Sequence, residues 1–283
     1  MGRRFSTQLS SFGTSGRPPG QARRPKGASR RNRRDARMDR IPKRDCWARS
    51  LGGCDSLSRE HVISRSVFAK GCDCPQIVEG MHRVPTGQHL PESAQVAKIL
   101  CRKHNSALAP LDSEVGKLAE HLLCAAGGQQ INRPEVDGRL IERWVLKTLI
   151  NSLAAGWTDT RKWLPHEAIV RFIFGDGAAP KFCGLYSVDG GTEDLEIIQD
   201  VSIAPVWLGV DPLSKKLAGG YVRVHGLRLF VAINDRIVEG ITGAKEGPER
   251  VYEGPLSRFV YRPAFIRVSA KDASSDGIVL NWS

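Results

Sequence analysis

The sequence predicts an α+β fold, and three observations carry that expectation. Residues 138–157 place Leu140, Ile141, Trp144, Val145, Leu149, Ile150 and Leu153 at helical spacing, the pattern of an amphipathic helix. From Cys183 onward the apolar period falls to two, in short runs separated by Gly, Asp and Pro, as in strands. Ahead of both lies a window holding five of the seven cysteines, with two strand-like runs and a helical run. The expected organisation is a basic arm over 1–44, a thiol-bearing strand–strand–helix module over 45–125, and an α+β accessory domain over 126–283. In the last, a largely antiparallel sheet packs on the 138–155 helix.

The arm is defined by charge. The 283 residues include 42 Lys+Arg against 30 Asp+Glu, a formal net charge of +12. Residues 1–45 hold fourteen basic side chains and three acids, a net charge of +11, which leaves +1 for the other 238. Residues 1–44 are rich in Arg, Ser, Gly and Pro with few large apolar side chains, so ordering them costs backbone entropy without burial in return. Disorder is expected there. Arg23, Arg24, Arg30, Arg31, Arg33 and Arg34 are candidates for contacts with nucleic-acid phosphates, which are salt-sensitive and blind to sequence. Composition also leaves open a solubility tail, an organellar transit peptide and, through Met1-Gly2 to Ser6, a myristoylation pattern. No run approaches the ~20 apolar residues of a membrane span, and the first 20 residues lack a signal-peptide core, so a cytoplasmic protein without membrane contact is expected. Clustered thiols in such a protein indicate a metal rather than disulfides.

Along the module, Asp45–Cys54 reads as a tight loop turned by Gly52-Gly53, and Ser56–Phe68 as an extended segment on its Val62, Ile63, Val67 and Phe68 content. Residues 69–95 read as an irregular insertion, with Cys72 and Cys74 as unpaired loop thiols and His82 and His89 solvated. Val96–Leu100 is a second strand-like run. Leu108, Leu111, Val115, Leu118 and Leu122 then predict one or two helices over 104–124, divided at Pro110. Further on, Gly156 is expected to stop the long helix, and a shorter one to cover 164–174. Strands are expected at 185–188, 195–198, 206–210, 221–224, 227–233, 259–261 and 265–268, with a hairpin at His225-Gly226. Arg223 and Arg228 read as solvated sheet-face residues, and Trp157, Trp163, Trp207 and Trp282 as packing groups.

Two constellations carry chemistry. Cys46, Cys54, Cys101 and His104 offer the four S/N donors that zinc prefers, and the Cys-x-x-His step at 101–104 has knuckle spacing. The Cys46–Cys54 separation is wider than usual, and the alternative is that Cys46 and Cys101 are small buried apolar groups. The second constellation is Glu60-His61 on the first strand and His104-Asn105 at the helix start. The segments Ser58-Arg59-Glu60-His61-Val62-Ile63-Ser64 and Leu100-Cys101-Arg102-Lys103-His104-Asn105 resemble the two core motifs of HNH endonucleases of the ββα-metal (His-Me finger) superfamily. The resemblance covers about residues 45–113.

It implies a ββα-metal module that hydrolyses DNA phosphodiester bonds, with His61 as general base and Glu60 and Asn105 as ligands to one catalytic divalent cation, Mg²⁺ or Mn²⁺. It implies Cys46, Cys54, Cys101 and His104 as a structural Zn²⁺ site, and a bacterial or phage setting such as defence or a mobile element. A neutral imidazole suits the base role at cellular pH. Arg65 is a candidate phosphate contact, with an exposed strand arginine as the alternative. Asp112 is either a cap for the helix near Pro110, the reading favoured here, or a further acid at the metal site. The competing functional reading is a zinc-stabilised nucleic-acid-binding module without catalysis. A third makes the chain a regulated effector with a small acidic partner.

Overall fold

The computed structural model describes residues 45–68, 76–79, 89–90, 95–127, 129, 131–158, 165–178, 184–188, 200–208, 216–233, 259–267 and 277–283. The arm with its six named arginines, Cys72, Cys74, His82, Trp163 and the expected strand at 195–198 lie outside them. Helices and mainly antiparallel sheets make up the described chain, an α+β arrangement.

The first strand, β1 (Leu57–His61), the two short strands β2 (Gln76–Glu79) and β3 (His89–Leu90), and β4 (Val96–Cys101) precede the helices α1 (Arg102–Ala107) and α2 (Ala109–Ala126). Strands β1 and β4 form an antiparallel pair with Leu57 opposite Cys101 and His61 opposite Val96, and a bulge between Ser58 and Glu60. Helix α1 begins where β4 ends and packs against both strands. The break between α1 and α2 falls at Leu108, with Pro110 in the first turn of α2, where its missing N–H costs no helix bond.

Two expectations for this region change. β1 stops at His61, and residues 62–68 bend into a 3-10 turn at Arg65–Val67 rather than staying extended, so Arg65 is an exposed turn residue and not a strand residue. Side-chain anchors described below outweigh the β propensity of Val62 and Ile63. The 69–95 insertion is also not irregular throughout. Its β2 pairs in parallel with a later strand and antiparallel with β3, which makes His89 a strand residue opposite Ile77.

Beyond these come β5 (Glu135–Asp137), α3 (Gly138–Ala154), α4 (Glu167–Phe174), β6 (Gly184–Val188), β7 (Asp200–Leu208), β8 (Lys216–Val224), β9 (Leu227–Ala232), β10 (Phe259–Tyr261), β11 (Phe265–Arg267) and β12 (Gly277–Asn281). One sheet runs β10-β6-β9-β8-β7-β2-β3 and a smaller one β11-β12-β5. Strand β5, with Val136 alone between two acids, does not stand out in the sequence; β12, with Ile278-Val279-Leu280, was legible but not among the expected strands; and β7 begins six residues before the expected 206 because Val201 and Ile203 extend the pattern through polar neighbours. The β8–β9 turn is the expected hairpin. Both central residues lie in the left-handed region, His225 at φ 46 and Gly226 at φ 86, which matches the twist of the flanking strands. His225 sustains that backbone while buried, and its Nε2–H donates to the Val67 carbonyl at 2.7 Å.

Helix α3 departs most from expectation. Asp137 caps it, accepting from the backbone N–H of Arg139 and Leu140 at 2.8 and 3.0 Å. It is not a surface helix with a polar face: α2, α4 and strands β6–β9 all pack on it, so Glu142, Lys147, Thr148, Asn151 and Ser152 are buried along with its apolar residues. The ridge Leu108, Leu111, Val115, Leu118 and Leu122 of α2 belongs to the same buried cluster, which runs from Cys46 to Leu280. Segments 45–125 and 126–283 thus share one core.

Candidate functional site

The β4–α1 junction gathers the four predicted metal donors. Cys46 precedes a 3-10 turn at Arg49–Leu51, and Gly52 and Gly53 turn the chain back at φ 73 and 64 to bring Cys54 beside it. The Trp47 N–H donates to Ile99 O at 3.0 Å and fastens this loop to β4. Cys101 ends β4 and caps α1, its Sγ accepting from the His104 N–H at 3.5 Å. His104 Nδ1 lies 3.3, 3.6 and 3.2 Å from the sulfurs of Cys46, Cys54 and Cys101. All four donor atoms fall within 4.8 Å of one another. Tetrahedral zinc, with Zn–S of about 2.3 Å and Zn–N of about 2.0–2.1 Å, would set its sulfur and nitrogen ligands about 3.5 Å apart. The donor set can hold a metal ion such as zinc.

Loading this site requires proton release. Burial pushes the Cys46 thiol up to about 12, and burial also raises Cys54, so a metal ion must displace both protons to bind. Burial, then the nearby Lys103, lowers His104, which keeps its imidazole in the neutral form that ligates metals. The ring of Phe174 from α4 meets the His104 ring at 5.4 Å and 74°.

At the other end of β1 lies a second polar cluster. Glu60 is buried, and its Oε1 accepts from Lys147 Nζ of α3 at 2.9 Å. The same ammonium reaches both oxygens of Asp112 in α2, at 2.7 and 2.9 Å. Ser64 Oγ donates to Asp112 Oδ1 and accepts from the Trp144 indole N–H at 2.7 Å. Burial raises the Glu60 carboxyl; Lys147 opposes that shift most strongly, Asp112 adds to it, and His61 opposes it. His61, the last residue of β1, is half-buried and within electrostatic reach of Glu60. Asn105 is half-buried in α1, one residue past His104 and so about 100° round the helix from it.

The structure therefore unites the four metal donors, and it links Glu60 with Asp112 through a lysine. Asp112 is not the cap of α2: the cap position is Leu108, with no side-chain bond, and the Asp112 carboxylate faces Lys147 and Ser64. Sequence reasoning missed Lys147, Trp144, Asn151 and Ser64. The signal was present as three hydrogen-bonding side chains at steps of three and four, 144, 147 and 151, on one face of the helix.

No protein-family model, no curated protein and no solved structure matches this chain.

Proposed function

We propose that the chain is a metal-dependent endonuclease of the HNH type acting on DNA. The observation that carries the reading is the arrangement of residues 46–105: an antiparallel strand pair that runs directly into a helix, with His61 at one end of the pair and the Cys46, Cys54, Cys101 and His104 donors drawn together at the other. That order of elements is what the two sequence motifs call for.

In this reading His61 takes a proton from water, which attacks phosphorus. Glu60 and Asn105 would hold one Mg²⁺ or Mn²⁺, which supplies charge neutralisation at the leaving 3′ oxygen. Oxygen donors suit such ions, and a carboxylate has about four lone-pair directions, so the Lys147 contact at Glu60 Oε1 does not exhaust it. Zinc at the Cys46, Cys54, Cys101 and His104 site has a structural role, fixing the start of α1 against the 46–54 loop. The basic arm and Arg65 supply attraction to phosphates.

The test is incubation of the full chain with supercoiled plasmid and Mg²⁺ or Mn²⁺. Nicked or linear products with 5′-phosphate ends, abolished by chelator, are expected. One observation favours a second reading, a zinc-stabilised nucleic-acid-binding module: Glu60 is already paired with Lys147. Salt-sensitive DNA binding with no cutting under any divalent ion would select it.

A further inference from the structure

The three acids within residues 45–68 and 95–107 are all engaged: Asp45 with Arg49, Glu60 with Lys147, and Asp55 with the Lys103 backbone N–H at 3.1 Å. The same stretches carry six basic side chains. Two of these, Arg59 of β1 and Lys98 of β4, are exposed, and neither side chain has a partner among the described residues. The strand register brings the two together. His61 lies opposite Val96, so both point to one face of the β1–β4 pair. Arg59 stands two residues before His61 and Lys98 two after Val96, and the two-residue period of a strand puts both cations on that same face. Between the pairs Ser58–Leu100 and Glu60–Ala97, the bulge sets Arg59 against Lys98 and Ile99. Like charges opposite one another destabilise a strand pair, so this arrangement costs stability until an anion bridges it.

We infer that Arg59 and Lys98 form a binding site for backbone phosphates of duplex DNA, on the strand face that carries His61. A guanidinium fork matches two phosphate oxygens, and the ammonium adds a point charge from the other strand. The choice of partner rests on the endonuclease reading. What is added is a phosphate contact made by the folded body, separate from the basic arm and from Arg65.

The experiment uses the zinc-loaded full chain and a short labelled DNA duplex. Wild type is compared with Arg59→Gln/Lys98→Gln and with a control, Lys117→Gln/Arg171→Gln, which removes the same charge from exposed residues already paired with Glu114 and Glu167. Fluorescence anisotropy at several salt concentrations reads affinity and salt slope, melting without DNA reads the fold, and cleavage by wild type in Mg²⁺ or Mn²⁺ reads the chemistry. Expected for the first variant is weaker binding, with a slope of log K against log salt shallower by about 1.8, or about 0.9 for each lost phosphate contact. Its melting temperature should be no lower than that of wild type, because a repulsion is removed. The control should keep the wild-type slope. If the first variant keeps that slope, or if the control flattens it equally, the inference is overturned while cleavage by wild type still upholds the endonuclease reading. If wild type binds the duplex without cutting it, that reading fails, and a flattened slope in the first variant alone still supports the phosphate site. If wild type binds no duplex, both fall together. A first variant that melts below wild type assigns the pair to the fold and overturns the inference.

Discussion

Trp47 and Asn151 are joined by a 2.9 Å hydrogen bond from the indole N–H to the amide oxygen, across 104 positions of sequence. Trp47 adjoins the metal donor Cys46, and the Asn151 amide also reaches Val62, the residue after His61. One side chain of the central helix thus touches the surroundings of both candidate centres. Replacing Asn151 with Leu leaves a buried donor and a buried carbonyl unpaired, so a loss of about 1–3 kcal/mol is expected in denaturant unfolding, with zinc retained. An unchanged midpoint would mean that the bond contributes nothing.

Metal removal gives a second prediction. Cys101→Ser should lose stoichiometric zinc, and with it the stabilisation that bound metal confers, about 4 kcal/mol at free zinc a thousandfold above Kd. Binding displaces protons from three thiols, so zinc affinity should climb steeply with pH. In metal-free protein, His104 has its folded value lowered below the ordinary 6.5, first by burial and then by Lys103. A base depressed in this way contributes stability above its unfolded value and loses it as pH falls through the folded one. Apoprotein stability should therefore drop on acidification below 6.5, and less so in His104→Asn; equal pH curves would contradict this.

Much of this architecture was legible in the sequence, and the failures have physical causes. The Cys46, Cys54, Cys101 and His104 set was readable because metal donors are chemically distinctive and the Cys101–His104 step is local, although Cys46 lies 58 positions from His104. α3 was readable as a helix from Leu140 to Leu153, but not as a helix buried on nearly all sides, because Glu142 and Lys147 look like a solvent face until their partners are known. Those partners, Arg262 and the Glu60–Asp112 pair, are distant in sequence, and such pairing leaves no local pattern. β2 and β3 were missed for a related reason: runs of four and two residues acquire strand character only by joining the edge of a sheet built elsewhere.

A third prediction concerns Glu142. Its Oε1 accepts from the Leu185 N–H at 2.8 Å, while Arg262 spans both oxygens at 3.1 and 3.0 Å. Arg262→Met would strand a buried carboxylate and should cost about 3 kcal/mol, the low end for a broken buried pair because Arg262 is partly exposed. Glu142→Gln keeps an acceptor for Leu185 and should cost less. The two variants unfolding at the same denaturant concentration would count against the ion pair.

Charge on the arm makes a fourth. Deleting residues 1–44 should weaken DNA binding and flatten its dependence on salt, since each phosphate contact contributes about 0.9 to the slope of log K against log salt. Fluorescence anisotropy at several salt concentrations reads both quantities. A deletion with the same slope would assign DNA contacts to the body instead.

Proposed cleavage of DNA depends most directly on His61. Single-turnover cleavage of supercoiled plasmid by wild type and His61→Ala should be compared in Mg²⁺ and in Mn²⁺, with zinc content equal in both proteins. General-base removal is expected to slow cleavage by about 100- to 10,000-fold while DNA affinity stays within a few-fold. Equal rates for the two proteins would contradict the central claim.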